Sequence, residues 1–195
     1  MTSADNDLLR QAISLAEEAG RRGNRPFGSV IATADGTVIA AGRNQVAETG
    51  MVTAHAELAA ITGATENGRS TDLVGATIYA SGEPCPMCSA AIVWTGITRV
   101  VFAAAEPDFT AIIGGHPRFA LRCADVIGAS DADVTVSGPH LGDEALEPVS
   151  PPPRKPLARL HDSPGRSDPG RLVGAHVRRG VSRPRQALTR RSIGR

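Results

Sequence analysis

Residues 76–88 read Ala76-Thr77-Ile78-Tyr79-Ala80-Ser81-Gly82-Glu83-Pro84-Cys85-Pro86-Met87-Cys88. Ala76 to Ala80 is strand-like, a Pro-Cys turn follows, and Ser89 to Thr95 beyond it has helical character. A strand that turns directly into a helix is the repeating unit of an α/β fold. The two cysteines lie one turn apart at the helix start, so both sulfurs can face the same point, and the positive end of the helix favours their ionised form. Upstream, Thr53 precedes an alanine-rich helical run, Ala54 to Ala64, which opens with His55-Ala56-Glu57.

Outward from these two segments the chain alternates. Leu8, Leu9, Ala12, Ile13, Leu15, Ala16 and Ala19 recur at helical spacing behind Asp5 and Asp7 as caps, and Gly20 ends that helix. Phe27–Thr33 and Thr37–Gly42 read as antiparallel strands joined by Ala34-Asp35-Gly36, whose Asp-Gly pair suits a tight hairpin. Arg99–Ala103 is a fourth strand, Ile112–Phe119 a glycine-containing loop, Ala120–Ile127 a short helix and Val134–Val136 a fifth strand. A helix, a hairpin and then alternating helices and strands predict a three-layer α/β/α sandwich around a mixed five-stranded sheet.

The 195 residues suffice for one domain with a proper core. The net charge of +1 hides two segments of opposite character. Residues 1–150 hold nine Lys and Arg against 18 Asp and Glu, whereas residues 151–195 hold 12 against two. That second stretch has seven prolines and no aromatic residue, and cannot bury enough apolar surface to offset its chain entropy. The expected division is a folded domain over residues 1–147 and a solvated basic tail over residues 148–195. The acidic opening and the lack of a bilayer-length apolar run predict a soluble, cytoplasmic protein with no membrane partner. In a reducing compartment Cys85 and Cys88 stay available as thiolates, and Cys123 reads as a buried small apolar residue.

A C-x-x-C pair alone also marks thiol redox proteins and half of a structural zinc site. Joined to an upstream H-x-E it points to a catalytic zinc, which needs three protein ligands and an open position. His55, Cys85 and Cys88 supply the three. Glu57 is then left outside the ligand set as a proton carrier, taking a proton from the attacking water, giving it to a ring nitrogen and later protonating departing ammonia. Backbone N–H groups around Pro84 to Cys88 are candidates to stabilise the developing oxyanion. Glu83 reads as a residue at the helix entry rather than a ligand.

The H-x-E and P-C-x-x-C motifs resemble those of the cytidine deaminase-like superfamily of zinc enzymes. Pro26-Phe27-Gly28, Gly42-Arg43-Asn44, Thr53-Ala54-His55-Ala56-Glu57, Glu83 to Cys88 and Ala91-Ile92-Val93-Trp94 look most like its bacterial guanine deaminase branch. That resemblance covers about residues 8–105, more loosely to 147. It implies a homodimer, a small-molecule nucleobase substrate, a heterocycle bound by Asn44, and a pocket to which Phe27, Trp94, Ala54 and Pro84 contribute. Two departures stand out. Asp108 to Pro117 replaces an acidic Phe-Asp-Asp stretch of the guanine deaminases, with Asp108 as the candidate acid, and no aromatic closing segment follows Glu147.

Competing readings remain beside this one. Within the same chemistry the substrate is alternatively an adenosine of tRNA, or cytosine or cytidine. From another class, the basic tail with a structural zinc suits a non-catalytic nucleic-acid-binding protein, although the tail lacks aromatics to stack bases and Glu57 would then have no use.

Overall fold

A computed structural model of the chain describes residues 1–150. The long first helix α1, Ser3–Arg21, starts earlier than the spacing of its apolar residues requires. Thr2 is its cap: Thr2 Oγ1 accepts the Asp5 N–H at 3.1 Å, and the Asp5 carboxylate accepts the Thr2 N–H at 2.7 Å. Strands β1, Gly28–Ala32, and β2, Val38–Arg43, form the expected antiparallel hairpin. Its turn is fixed by Gly36 at φ 88° and by Asp35 Oδ1, which accepts the Thr37 N–H at 3.0 Å.

The chain continues through a four-residue helix α2, Val46–Thr49, and helix α3, Ala56–Glu66. Strand β3, Thr77–Gly82, leads into α4, Pro86–Thr95, and β4, Arg99–Ala104. An unexpected helix α5, Glu106–Ile113, then precedes α6, Cys123–Gly128, and β5, Thr135–Ser137. The start of α5 has a readable cause: Pro107 in its first turn, flanked by Glu106 and Asp108, is a helix-opening pattern.

The sheet order is β2-β1-β3-β4-β5, antiparallel for the hairpin and for β1 with β3, parallel for β3–β4 and β4–β5. Alternate strand residues go to opposite faces. Val30, Tyr79 and Val101 pack with Leu8, Leu9, Ile13 and Phe109 on the α1 side. Ile31, Ile78 and Val100 pack with Ala60, Ile92 and Ile127 on the α3 and α4 side. The three-layer sandwich is therefore the observed fold. On the second side α3 lies so close to β2 that a Cβ on Gly42 would fall 2.5 Å from both Ala56 O and Ala60 N. Only glycine permits that approach, which brings the α3 N-terminus down to the edge of the sheet.

A 3-10 segment, Gly142–Val149, closes the described part, with Ala145 and Val149 buried in the α1-side core, two residues past 147. Among the described residues no helix is long and apolar enough to cross a membrane. The expectation of a solvated tail falls on residues 151–195, outside the described residues.

Candidate active site

His55 is the N-cap of α3 and Cys85 the N-cap of α4, each with extended backbone and neither with a side-chain capping bond. Side chains at that position ordinarily turn back to the helix N–H groups. Here they turn to a shared point. His55 Nδ1 lies 3.5 Å from Cys85 Sγ and 3.6 Å from Cys88 Sγ, and the sulfurs are 3.6 Å apart. Tetrahedral zinc at ordinary bond lengths places two sulfurs about 3.8 Å apart and nitrogen about 3.6 Å from sulfur. The three donor atoms would suit zinc, as three protein ligands among the described residues.

The charges around this point agree with a cation site. Cys85 is lowered to about 4, chiefly by the hydrogen bond from Cys88 and further by His55. That bond, with burial, pushes the Cys88 thiol up. His55 is raised, first by its bond to Cys85. Glu57, buried in the first turn of α3, is pushed up by desolvation. Cys123 is buried as expected, its thiol raised to about 11 by desolvation.

Glu57, His55 and Cys85 open onto a cavity of about 140 Å³ whose wall includes Phe27, Asn44 and Pro84. Asn44 is buried and its Oδ1 accepts the Val46 N–H at 3.2 Å, while its Nδ2 has no hydrogen-bond partner among the described residues. Phe27 meets Phe109 edge to face with ring centroids 5.0 Å apart. Residues between 114 and 122 add to the wall, among them Gly115, Arg118 and Arg122.

Two expected pocket residues lie elsewhere in the chain. Trp94 is 88% exposed and forms no part of the cavity wall, because α4 turns that face away from the sheet. Ala54 is also outside the wall: its N–H goes to Met51 O at 3.0 Å and its carbonyl accepts the Gln45 N–H at 2.9 Å, so its N–H is already engaged within the chain. Asp108 is exposed and off the cavity, which takes Glu106 instead. Sequence reasoning missed Glu106, Phe109, Arg25 and Arg118 as wall residues; the Pro107 helix-start pattern was the available signal for the first two.

Glu83 binds this wall together. Its Oε1 accepts Arg122 Nε at 3.0 Å and the Cys123 N–H at 3.1 Å, and its Oε2 accepts the Glu106 N–H at 3.1 Å and an Arg122 Nη2 bond. Burial works to raise its carboxyl, and Arg122 with the two N–H groups outweighs that, leaving it below the usual carboxylate range. One side chain next to the Pro-Cys turn therefore holds the first turns of both α5 and α6.

Residues 2–104 match the cytidine and deoxycytidylate deaminase zinc-binding region. The chain belongs to this deaminase family. A probable cytosine deaminase of Schizosaccharomyces pombe is 36% identical over 151 residues, 76% of this chain and 91% of that protein. The guanine deaminase of Bacillus subtilis is 42% identical over 102 residues, 52% of this chain and 65% of that one. A solved structure from work on A-to-I editing by tRNA:A34 deaminases superposes with a TM-score of 0.61 at 32% identity, covering 73% of this chain and 99% of that one. The chain is thus a zinc-type deaminase with relatives that span three substrate kinds, and zinc is the metal that His55, Cys85 and Cys88 fit.

Proposed function

We propose that this deaminase hydrolyses the exocyclic amino group of a nucleobase, guanine or a related heterocycle, to the oxo product with release of ammonia. The observation that carries the reading is that the His-Cys-Cys group and Glu57 share one small cavity walled by the Phe27 ring, Pro84 and the Asn44 amide. His55, Cys85 and Cys88 would hold zinc, which when bound makes a hydroxide nucleophile available near neutral pH. Glu57 accepts the proton released as the nucleophile forms, delivers it to the ring nitrogen beside the reacting carbon, and protonates the departing ammonia. Asn44 presents Nδ2 to a ring edge, and Phe27 and Pro84 flank the ring plane. Residues 114–122 over the cavity favour a small substrate over a nucleic-acid strand.

The chemistry is assigned to residues 1–147 of a cytoplasmic protein, with no role for the basic residues 148–195. A homodimer is the proposed assembly, and the exposed Trp94 with Met87 on α4 supplies an apolar surface for it. A second reading, cytosine, is favoured by the Schizosaccharomyces pombe relative, whose likeness extends over nearly its whole length. The test is ammonia release by the zinc-loaded protein from guanine, cytosine, cytidine, adenosine and a tRNA. Guanine is expected to react fastest; inert guanine beside active cytosine or tRNA would overturn the substrate assignment.

A further inference from the structure

Residues 1–150 contain nine arginines and twice as many carboxylates. Seven of the nine pair with one: Arg10, Arg21, Arg22, Arg43, Arg69, Arg99 and Arg122. Among the described residues the two without a carboxylate partner are Arg25 and Arg118, and both line the candidate substrate cavity. In so acidic a domain, two guanidiniums at one place leave N–H donors for an acceptor that the described residues do not supply.

The two converge on Gly115. Arg118 Nε donates to Gly115 O at 2.9 Å, and among the described residues neither of its Nη groups has a hydrogen-bond partner. A Cβ on Gly115 would lie 3.9 and 4.0 Å from the Arg25 Nη2 and Nη1 atoms. Arg25 Cζ also stands 5.6 Å from the centre of the Phe27 ring, which holds the guanidinium beside the pocket without consuming its N–H donors. Both arginines are exposed, which places them at the cavity mouth, away from the buried Glu57.

We propose that Arg25 and Arg118 form a phosphate subsite at the mouth, and that the preferred substrate is an amino heterocycle carrying a phosphate, a nucleoside monophosphate in kind. This rests on the deaminase reading and extends it: the base presents its amino carbon to the zinc group while the phosphate remains at the entrance. Guanidinium groups bind phosphate oxygens through paired charge-assisted N–H bonds. Two converging forks offer more donors than one carboxylate can accept, and suit the three terminal oxygens of a phosphate monoester.

The experiment uses the full-length, zinc-loaded protein and the double variant Arg25→Ala/Arg118→Ala. Wild type is expected to deaminate guanosine monophosphate with a kcat/KM at least about tenfold above that for guanosine, and the variant to bring that ratio to about one. Inorganic phosphate should raise the melting temperature of wild type and not of the variant. Equal kcat/KM for guanosine monophosphate and guanosine in wild type, or a ratio that survives the double substitution, would overturn the subsite. A phosphate response without preference for the monophosphate assigns the arginines to free phosphate and overturns the substrate class. If no compound releases ammonia, the deaminase reading fails, and the phosphate-dependent melting shift still decides the subsite.

Discussion

Glu83 and Arg122 form an ion pair that joins the Pro-Cys turn before α4 to the first turn of α6, with Arg122 Nε 3.0 Å from Glu83 Oε1. The Glu83 side chain is 4% exposed and that of Arg122 34%. Arg122→Ala would leave a buried carboxylate with only the Cys123 and Glu106 N–H groups. Removing one partner of a fully buried pair costs several kcal/mol, and the partial exposure of Arg122 reduces this to about 2 kcal/mol. Urea unfolding of the variant measures it, and a loss below about 0.5 kcal/mol would show that the pair adds nothing to the fold.

The second expectation concerns acid. Arg99 is the main cause holding Asp5 well below the usual carboxylate range, helped by Thr2 and Tyr79 against the effect of burial. The Tyr79 hydroxyl donates to Asp5 Oδ1 at 2.7 Å, and that phenol is raised to about 12, by burial first and by Asp5 next. A folded pKa below the unfolded one means that the native state binds fewer protons. The contribution is therefore complete above the ordinary Asp value, about 3.9, and is lost as pH falls further through the folded value. The urea midpoint of wild type should drop as pH falls below about 4, and Asp5→Asn should be less stable at neutral pH with a flatter acid limb. Parallel limbs in the two proteins would contradict this.

What the sequence made legible was whatever is local along the chain. Cys85 and Cys88 are three residues apart, so one helical turn brings their sulfurs together, and His55 with Glu57 stand at the same helix start, His55 as its extended N-cap. The five strands show in their own apolar runs. Which face of a helix meets the cavity depends on packing, and there Trp94 was misplaced, because an apolar residue on a short helix reads the same whether inward or exposed. Helix α5 was hidden by its brevity and by Gly114-Gly115 after it. Glu83 acts through partners 23 to 40 residues away in sequence, and Arg25 meets Gly115, 90 residues away.

The exposed Trp94 gives a third expectation. A large aromatic at 88% exposure beside Met87 on one helix is an apolar surface that self-association would cover. Trp94→Glu should convert a dimer to a folded monomer by sedimentation, with the far-UV circular dichroism of wild type, since the side chain contributes nothing to the core. A dimer of undiminished affinity in the variant would remove α4 from the interface.

Gly42 supplies a fourth. With a Cβ at 2.5 Å from two α3 backbone atoms, Gly42→Ala forces α3 and the His55 at its cap away from β2. The variant should bind zinc at least about tenfold more weakly than wild type, an effect on the order of that caused by disturbing residues that orient a ligand. Competition with a chromogenic chelator reads it, and unchanged affinity would show that the loop before α3 absorbs the shift.

The assignment of zinc to His55, Cys85 and Cys88 and of proton transfer to Glu57 stands or falls on one paired measurement. Zinc content and ammonia release are determined on the same preparations of wild type, Cys85→Ala and Glu57→Gln, with guanine as first substrate. About one zinc per chain is expected in wild type and Glu57→Gln, with loss of zinc and activity in Cys85→Ala and a fall of about a hundredfold or more in turnover for Glu57→Gln. Wild-type turnover in Glu57→Gln, or a full complement of zinc in Cys85→Ala, would contradict it.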